Sequence, residues 1–473
     1  MAMSGPSSGV SPTYSSEGQR QSFRRLLQTS FLRFIRAEAA SGIVLIVSTV
    51  LALGLANSPL REGFANLWSM VIELRAYRLS LTLSLRDWIN DGLMAVFFLV
   101  VGMEIKRELV QGELASVKKA ALPVVAALGG MLVPAAIFLL CTSGTSFQRG
   151  FGIPTATDIA FTVGVMAILG RRVPLGAKVF VTALAIADDL GAVVVIAVFY
   201  SSHAALSGLI PVVGLTLILV GLNWLGVRRL AIYLLVGGLL WLAMHSAGVH
   251  ATLAGIVLAM CIPLTGRHGD GDFLVAAEHA LRIYSGEAAV ATEAERDSLT
   301  EHRESALRAL AEVIAGMKSP LHRLEQHLHS VVAFAVLPLF ALANAGVELP
   351  PLSQGVSALL SQPVTIGVFL GLVVGKPLGI FGFGVAAIRL GLGDLPSRTS
   401  YRALLGSAML AGIGFTMSIF ITGLAFHEAA LITAAKLGVL SGSLCSALLG
   451  VSWLRWFSPI PSGQTQPYDS RHE

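Results

Sequence analysis

Charge is scarce in this sequence. Only 13% of its 473 residues are Asp, Glu, Lys or Arg, against about one quarter in a soluble domain. Hydrophobic residues make up 54%, and the mean hydropathy is +0.74. That balance excludes an ordinary soluble domain and predicts a polytopic membrane protein. Cysteine is scarcer still. Cys141, Cys261 and Cys445 lie singly in or beside apolar runs, without CxxC or Cys/His spacing, so neither a disulfide framework nor a zinc site is indicated. No basic motif is interleaved with aromatics, so the net charge of +5 implies no DNA or RNA partner. Residues 1–30 lack the apolar core and small-residue cleavage site of a secretory signal; Ser/Gly-rich and then basic, they read as a disordered cytoplasmic tail.

Apolar runs are what the chain has in abundance. A helix needs about 20 residues to cross a hydrocarbon core. Runs of that order fall near 38–57, 88–106, 121–141, 151–170, 175–200, 205–224, 229–246, 248–265, 329–348, 362–388, 402–425 and 429–453, for about 12 spans if the Gly248 region is a turn. Lys and Arg favour cytoplasmic loops. Alternate loops carry Lys106, Arg107, Lys118 and Lys119, then Arg171, Arg172 and Lys178, then Arg228 and Arg229, then Arg389, Arg398 and Arg402. The opposite loops are nearly bare, which places both termini in the cytoplasm. Loop 58–87, with several arginines, departs from the rule.

The expected organisation is a tail (1–30), spans 1–8 (31–265), a charged cytoplasmic insertion (266–328), spans 9–12 (329–455) and a second cytoplasmic tail (456–473). His268, His279, His302, His322 and His327 of the insertion are irregularly spaced and read as a solvated face rather than as metal ligands. In the outer loop, "RLSLTLSLR" (78–86) puts Leu79, Leu81, Leu83 and Leu85 on one side, which is strand periodicity. An exposed edge strand seeks a partner.

The acids inside the membrane carry the functional argument. Asp188 and Asp189 lie adjacent in span 5, and one charged aspartate at a helix centre costs about 2.5–3.5 kcal/mol on insertion scales. Asp158, in "GIPTATD", adds a third acid, and Lys376 is the deepest cation. One ion pair still leaves a carboxylate that must be protonated or hold a cation. Successive residues on a helix are rotated by about 100°, so one aspartate can reach Lys376 while the other faces a water path. They should titrate as an interacting set. Gly152, Pro154 and Thr155 before Asp158, and Gly412 and Gly414 in "AGIGFTMS", weaken spans 4 and 11 at similar depth. Paired interruptions of this kind point to a transporter site.

The segments "WINDGLMAVFFLVVGMEIKREL", "ATDIAFTVGVMAILG", "ALAIADDLGAVVVIA", "SAGVHATLAGIVLA", "LPLFALANAGV", "GKPLGIFG" and "GIGFTMSIFI" together resemble the NhaA-type sodium/proton antiporters of bacterial inner membranes, in that family's order. The family is itself a standard instance of inverted-topology repeats, so that feature comes with the resemblance and not from the residues. The resemblance implies an all-α fold with spans 3–5 and 10–12 as inverted repeats, spans 4 and 11 interrupted and crossing, and a small periplasmic β-hairpin in loop 58–87 through which a homodimer forms. It also implies electrogenic, pH-dependent export of Na+ or Li+ in exchange for H+ at Asp188 and Asp189, without a cofactor, for sodium and pH homeostasis. Thr157 would supply a further oxygen. Asp158 and Lys376 would compensate helix ends, Lys376 also partnering the first aspartate. Glu104, Arg107, Glu108 and His250 would belong to a cytoplasmic funnel and pH-response region. Asp91, at the outer end of span 2, reads as a capping or interfacial acid.

Two other readings were weighed. A shared-proton aspartyl protease needs carboxylates about 3 Å apart, normally from two helices. A passive channel would show a ring of acids or carbonyls. Neither suits an adjacent pair beside a buried lysine.

Overall fold

The computed structural model describes residues 40–76, 79–200, 206–266, 270–285, 303–311, 313–314, 319–348, 361–397 and 399–457. Both expected tails (1–30, and 456–473 beyond residue 457) and much of the 266–328 segment lie outside the described residues. Among the described residues the regular structure is helical apart from one hairpin. Its apolar helices are α1 (Ala40–Ala56), α2 (Leu85–Gln111), α3 (Val117–Cys141), α4 (Ser146–Ile168), α5 (Leu175–Tyr200), α6 (Leu206–Trp224), α7 (Leu230–Ser246), α8 (Leu253–Cys261), α9 (Pro320–Asn344), α10 (Pro363–Arg389), α11 (Tyr401–Leu410 with Phe415–Ala425) and α12 (Ala429–Phe457). Among the described residues seven are long and apolar enough to cross a membrane, or nine if α11 and the bent pair of α1 with Arg61–Ser69 each count as one.

The Leu alternation in the outer loop is a strand, as its period predicts. β1 (Val71–Ala76) and β2 (Leu79–Ser84) pair antiparallel, with Ile72 opposite Leu83 and Leu74 opposite Leu81. The strand stops at Ser84, and Leu85, expected on its face, instead begins α2, because Ser84 caps that helix. Its hydroxyl accepts from the Asp87 N–H at 3.1 Å, and the Asp87 carboxylate accepts from the Ser84 N–H at 3.3 Å. The Gly248 turn is also real, with φ +74° between α7 and α8.

One boundary differs from expectation. Helix α9 begins at Pro320, not at residue 329, so the last part of the supposed insertion is its first two turns. Ser319 caps it by accepting from the His322 N–H at 3.1 Å, and Pro320 occupies the first turn, where its missing N–H costs nothing. The Ser-Pro signal was present in the sequence, but the charges of His322, Arg323 and Glu325 masked it. In the rest of the segment, Asp270–Ser285 is a helix with Leu274 and Val275 exposed, and none of its residues lines the cavity described below. Deleting Asp270–Ile314 is therefore expected to leave transport in everted vesicles largely intact. Normal membrane insertion with lost transport would give this segment a working role.

Candidate ion-exchange site

Helices α4 and α11 are both broken, at the same place in the molecule. In α4 a 3-10 stretch, Ser146–Thr155, gives way to extended backbone at Ala156 and Asp158 before the α-helix resumes at Ile159. Pro154 lacks the N–H that a continuous helix would use. In α11 the break lies between Leu410 and Phe415 with a 46° bend. The two breaks touch: the Asp158 N–H donates to the Ile413 carbonyl at 2.7 Å. A Cβ on Gly414 would lie 2.9 Å from the Ala156 carbonyl oxygen, and one on Gly412 would lie 2.5 Å from the Leu372 oxygen, so the crossing needs glycine at both.

Breaking two buried helices exposes unpaired N–H and C=O groups away from water. Side chains answer several of them. Asp158, 2% exposed, accepts from the Phe161 N–H at 2.9 Å with one oxygen, and from the Thr416 N–H at 3.0 Å and hydroxyl at 2.5 Å with the other. One carboxylate thus caps the positive ends of both resumed helices. At the carbonyl ends, Lys376 Nζ donates to the Thr155 oxygen, the Thr162 hydroxyl donates to Leu410, and the Thr157 hydroxyl lies 3.1 Å from the Ala411 oxygen. Lys376 is delivered by α10 immediately after a π-helical turn, Gly371–Gly375, an irregularity frequent at functional sites.

The neighbouring aspartates of α5 have different surroundings. Asp188 is tied down: its Oδ2 accepts from Lys376 Nζ and from the Thr157 hydroxyl, both at 2.7 Å. Asp189 instead lines a cavity of about 70 Å³, together with Thr157, Asp158 and Thr416, which reaches Glu104 and His329. Both aspartates are 1% exposed and Lys376 is fully buried. Among the described residues, Oδ1 of each aspartate has no hydrogen-bond partner. Lys376 neutralises Asp188 and three neutral hydrogen bonds serve Asp158, whereas Asp189 has, among the described residues, neither a counter-charge in contact nor a hydrogen bond to its Oδ1. A buried ion in that position costs several kcal/mol unless something compensates it. A proton or a small cation can do so, which is the chemistry the arrangement offers.

The remaining candidates separate into two ends. Glu104, Arg107 and Glu108 cluster where α2 meets α9: Arg107 pairs with Glu325, lies 3.5 Å from Glu108, and Glu104 is 3.7 Å from His329. Glu325, 5% exposed, and His329 escaped the sequence reading because Glu325 fell in the supposed insertion. Lys106, taken only as an orientation signal, donates to the Met260 and Ile262 carbonyls and so caps the end of α8. His250 does not join this group. It sits at the opposite end of the molecule, its Nε2–H donating to the Tyr200 carbonyl at 2.8 Å, because α8 runs antiparallel to α7 after the Gly248 turn. Asp91 lies at that same end, 3.7 Å from His245. Of the interruption residues, Gly152 donates its N–H to the Tyr200 hydroxyl, and Pro154 packs on Gly371.

Lys376→Ala should destabilise the protein. Removing one partner of a buried ion pair leaves the other uncompensated and typically costs about 3–5 kcal/mol. An unchanged melting temperature in detergent would count against the Lys376–Asp188 pair as a stabilising contact.

The sequence profile of the Na+/H+ antiporter 1 family matches residues 32–454. The Na(+)/H(+) antiporter NhaA of Bordetella parapertussis is 47% identical over 427 residues, covering 90% of this chain and 96% of the relative. Proteins of the same name from Koribacter versatilis (43% identical; 91% of this chain, 92% of the relative) and Escherichia coli (44%; 89% and 97%) are similar over comparable lengths. Nearly the whole described chain, both interrupted helices included, falls within the match, and the chain belongs to the Na+/H+ antiporter 1 family.

Proposed function

We propose that this protein is a secondary antiporter that exports Na+ or Li+ in exchange for H+ by alternating access, with Asp188 and Asp189 as the exchange pair. One observation carries the reading: Asp189 is buried, faces the cavity and, among the described residues, has no counter-charge in contact, while its neighbour Asp188 is held by Lys376 and Thr157. Thr157 is the supplementary oxygen ligand. Asp158 and Lys376 compensate the helix ends, and Glu104, Arg107 and Glu108 line the cytoplasmic approach, where Glu325 and His329 join them.

Twelve spans, with spans 3–5 and 10–12 as inverted repeats, place both termini in the cytoplasm of a bacterial inner membrane. The loop charges, the nine candidate spans and the shorter helices α6, α7 and α8 support the span count and the orientation, and the inverted repeats rest on the family resemblance. The hairpin offers unpaired strand edges at which two copies meet as a homodimer. The transported ions need no resident cofactor, and nothing in the pair resembles an aspartyl protease dyad, since Lys376 engages only one member.

The test uses everted vesicles carrying a pH dye, pulsed with sodium, lithium or potassium. Proton release is expected with sodium or lithium and not with potassium. Sodium flux without proton movement would favour a channel instead.

A further inference from the structure

We propose that the Tyr200 hydroxyl is the latch of the outer gate, holding the first half of α4 against the end of α5 until the outward-facing half of the cycle. This rests on the alternating-access reading above. The cavity at Asp189 extends towards Glu104 and His329, and no residue of Ser146–Thr155 lines it. That half-helix instead lies on the other side of the ion site, running from the exposed Arg149 to the buried Thr155, whose carbonyl meets Lys376. Outward opening therefore requires Ser146–Thr155 to move relative to α5.

Tyr200 is what joins them. Buried at 8% exposure, it accepts a hydrogen bond from the Gly152 N–H at 3.2 Å and donates one to the Arg149 carbonyl at 2.6 Å. Its ring stacks on Phe151 with centroids 6.3 Å apart and planes 19° apart. The approach depends on glycine, because a Cβ on Gly152 would stand 2.8 Å from the Tyr200 oxygen. Tyr200 ends a π-helical turn, Ile196–Tyr200, and its carbonyl is held by His250 from the α7–α8 turn. Movement of the half-helix would break the Gly152 and Arg149 hydrogen bonds together, while His250 holds Tyr200 in place from the third side. Two neutral hydrogen bonds bias such an equilibrium by roughly tenfold or somewhat more.

Tyr200→Phe keeps the ring and removes both hydrogen bonds; Gly152→Ala pushes the same contact apart with a methyl group. Cys141, Cys261 and Cys445 are first replaced by alanine, and two reporters are compared in proteoliposomes of known orientation. Val195→Cys lies beside Gly152, with Cγ1 at 3.3 Å from the Cβ position, and Ala160→Cys lines the cavity. A membrane-impermeant maleimide added outside should label Val195→Cys roughly tenfold faster in the Tyr200→Phe protein, and faster also with Gly152→Ala, while inside labelling of Ala160→Cys does not rise. Unchanged outside labelling overturns the latch, whatever happens to transport. So does a rise on both sides, which a merely loosened protein would give. The exchange reading fails separately, if Asp189→Asn retains sodium-driven proton release.

Discussion

Asp189→Asn and Asp188→Asn are each expected to abolish sodium-dependent proton release while leaving the protein in the membrane. The amide keeps the shape of the carboxylate but neither binds a proton in exchange nor neutralises a cation. The two variants should differ in stability. Asp188→Asn strands the fully buried Lys376, whose ammonium is 2.7 Å from Asp188 Oδ2, and should cost about 3–5 kcal/mol. Asp189→Asn removes a carboxylate without a counter-charge in contact, so its melting temperature should not fall. Transport in vesicles and melting in detergent check both. Full activity in either variant would remove Asp188 and Asp189 from the mechanism, and equal losses of stability would contradict the division of roles between them.

Transport is expected to carry current and to fail in acid. If one sodium ion and two protons alternate on the pair, each cycle moves one net positive charge, worth about 2.3 kcal/mol per 100 mV. An inside-negative potential draws the protons in and so drives sodium out. Acid fills the carboxylates with protons and excludes sodium; strong alkali starves the return step. The rate should peak between those limits. By linkage, apparent sodium affinity should weaken by up to about tenfold per pH unit for each proton displaced. Sodium jumps on proteoliposomes adsorbed to a solid-supported membrane read both quantities as transient currents at several pH values. A silent exchange, or an affinity indifferent to pH, would exclude competition between one sodium and two protons at this pair.

Much of this was legible along the chain because the determinants are local. A bilayer reads hydropathy over a window of one helix, so the spans and the positive loops can be found without knowing what packs where. The Leu alternation at 79–85 is a two-residue period that only a strand places on one side, and β2 occupies 79–84. Gly152, Pro154, Gly412 and Gly414 mark the two interruptions because backbone that cannot continue a helix is a property of those residues. Where a local signal was obscured, the reading slipped: charges after Ser319 concealed a cap, and with it Glu325.

Tertiary structure decided the rest, because those questions turn on helix rotation and antiparallel packing over long separations. Adjacency implies that Asp188 and Asp189 diverge, and the resemblance pairs Lys376 with the first of them; the contact itself depends on how α5 turns against α10 and α4. The resemblance assigns Asp158 to the helix ends, but only the crossing shows that one carboxylate takes the N-termini of two half-helices at once. His250 was grouped with Glu104 and Arg107, yet the turn at Gly248 carries it to the other end, onto Tyr200. The residue types and their depth were written in the sequence. Which of them share a cavity was set by the packing of helices far apart along the chain, as between Asp158 and Thr416, which line the same cavity at a separation of 258.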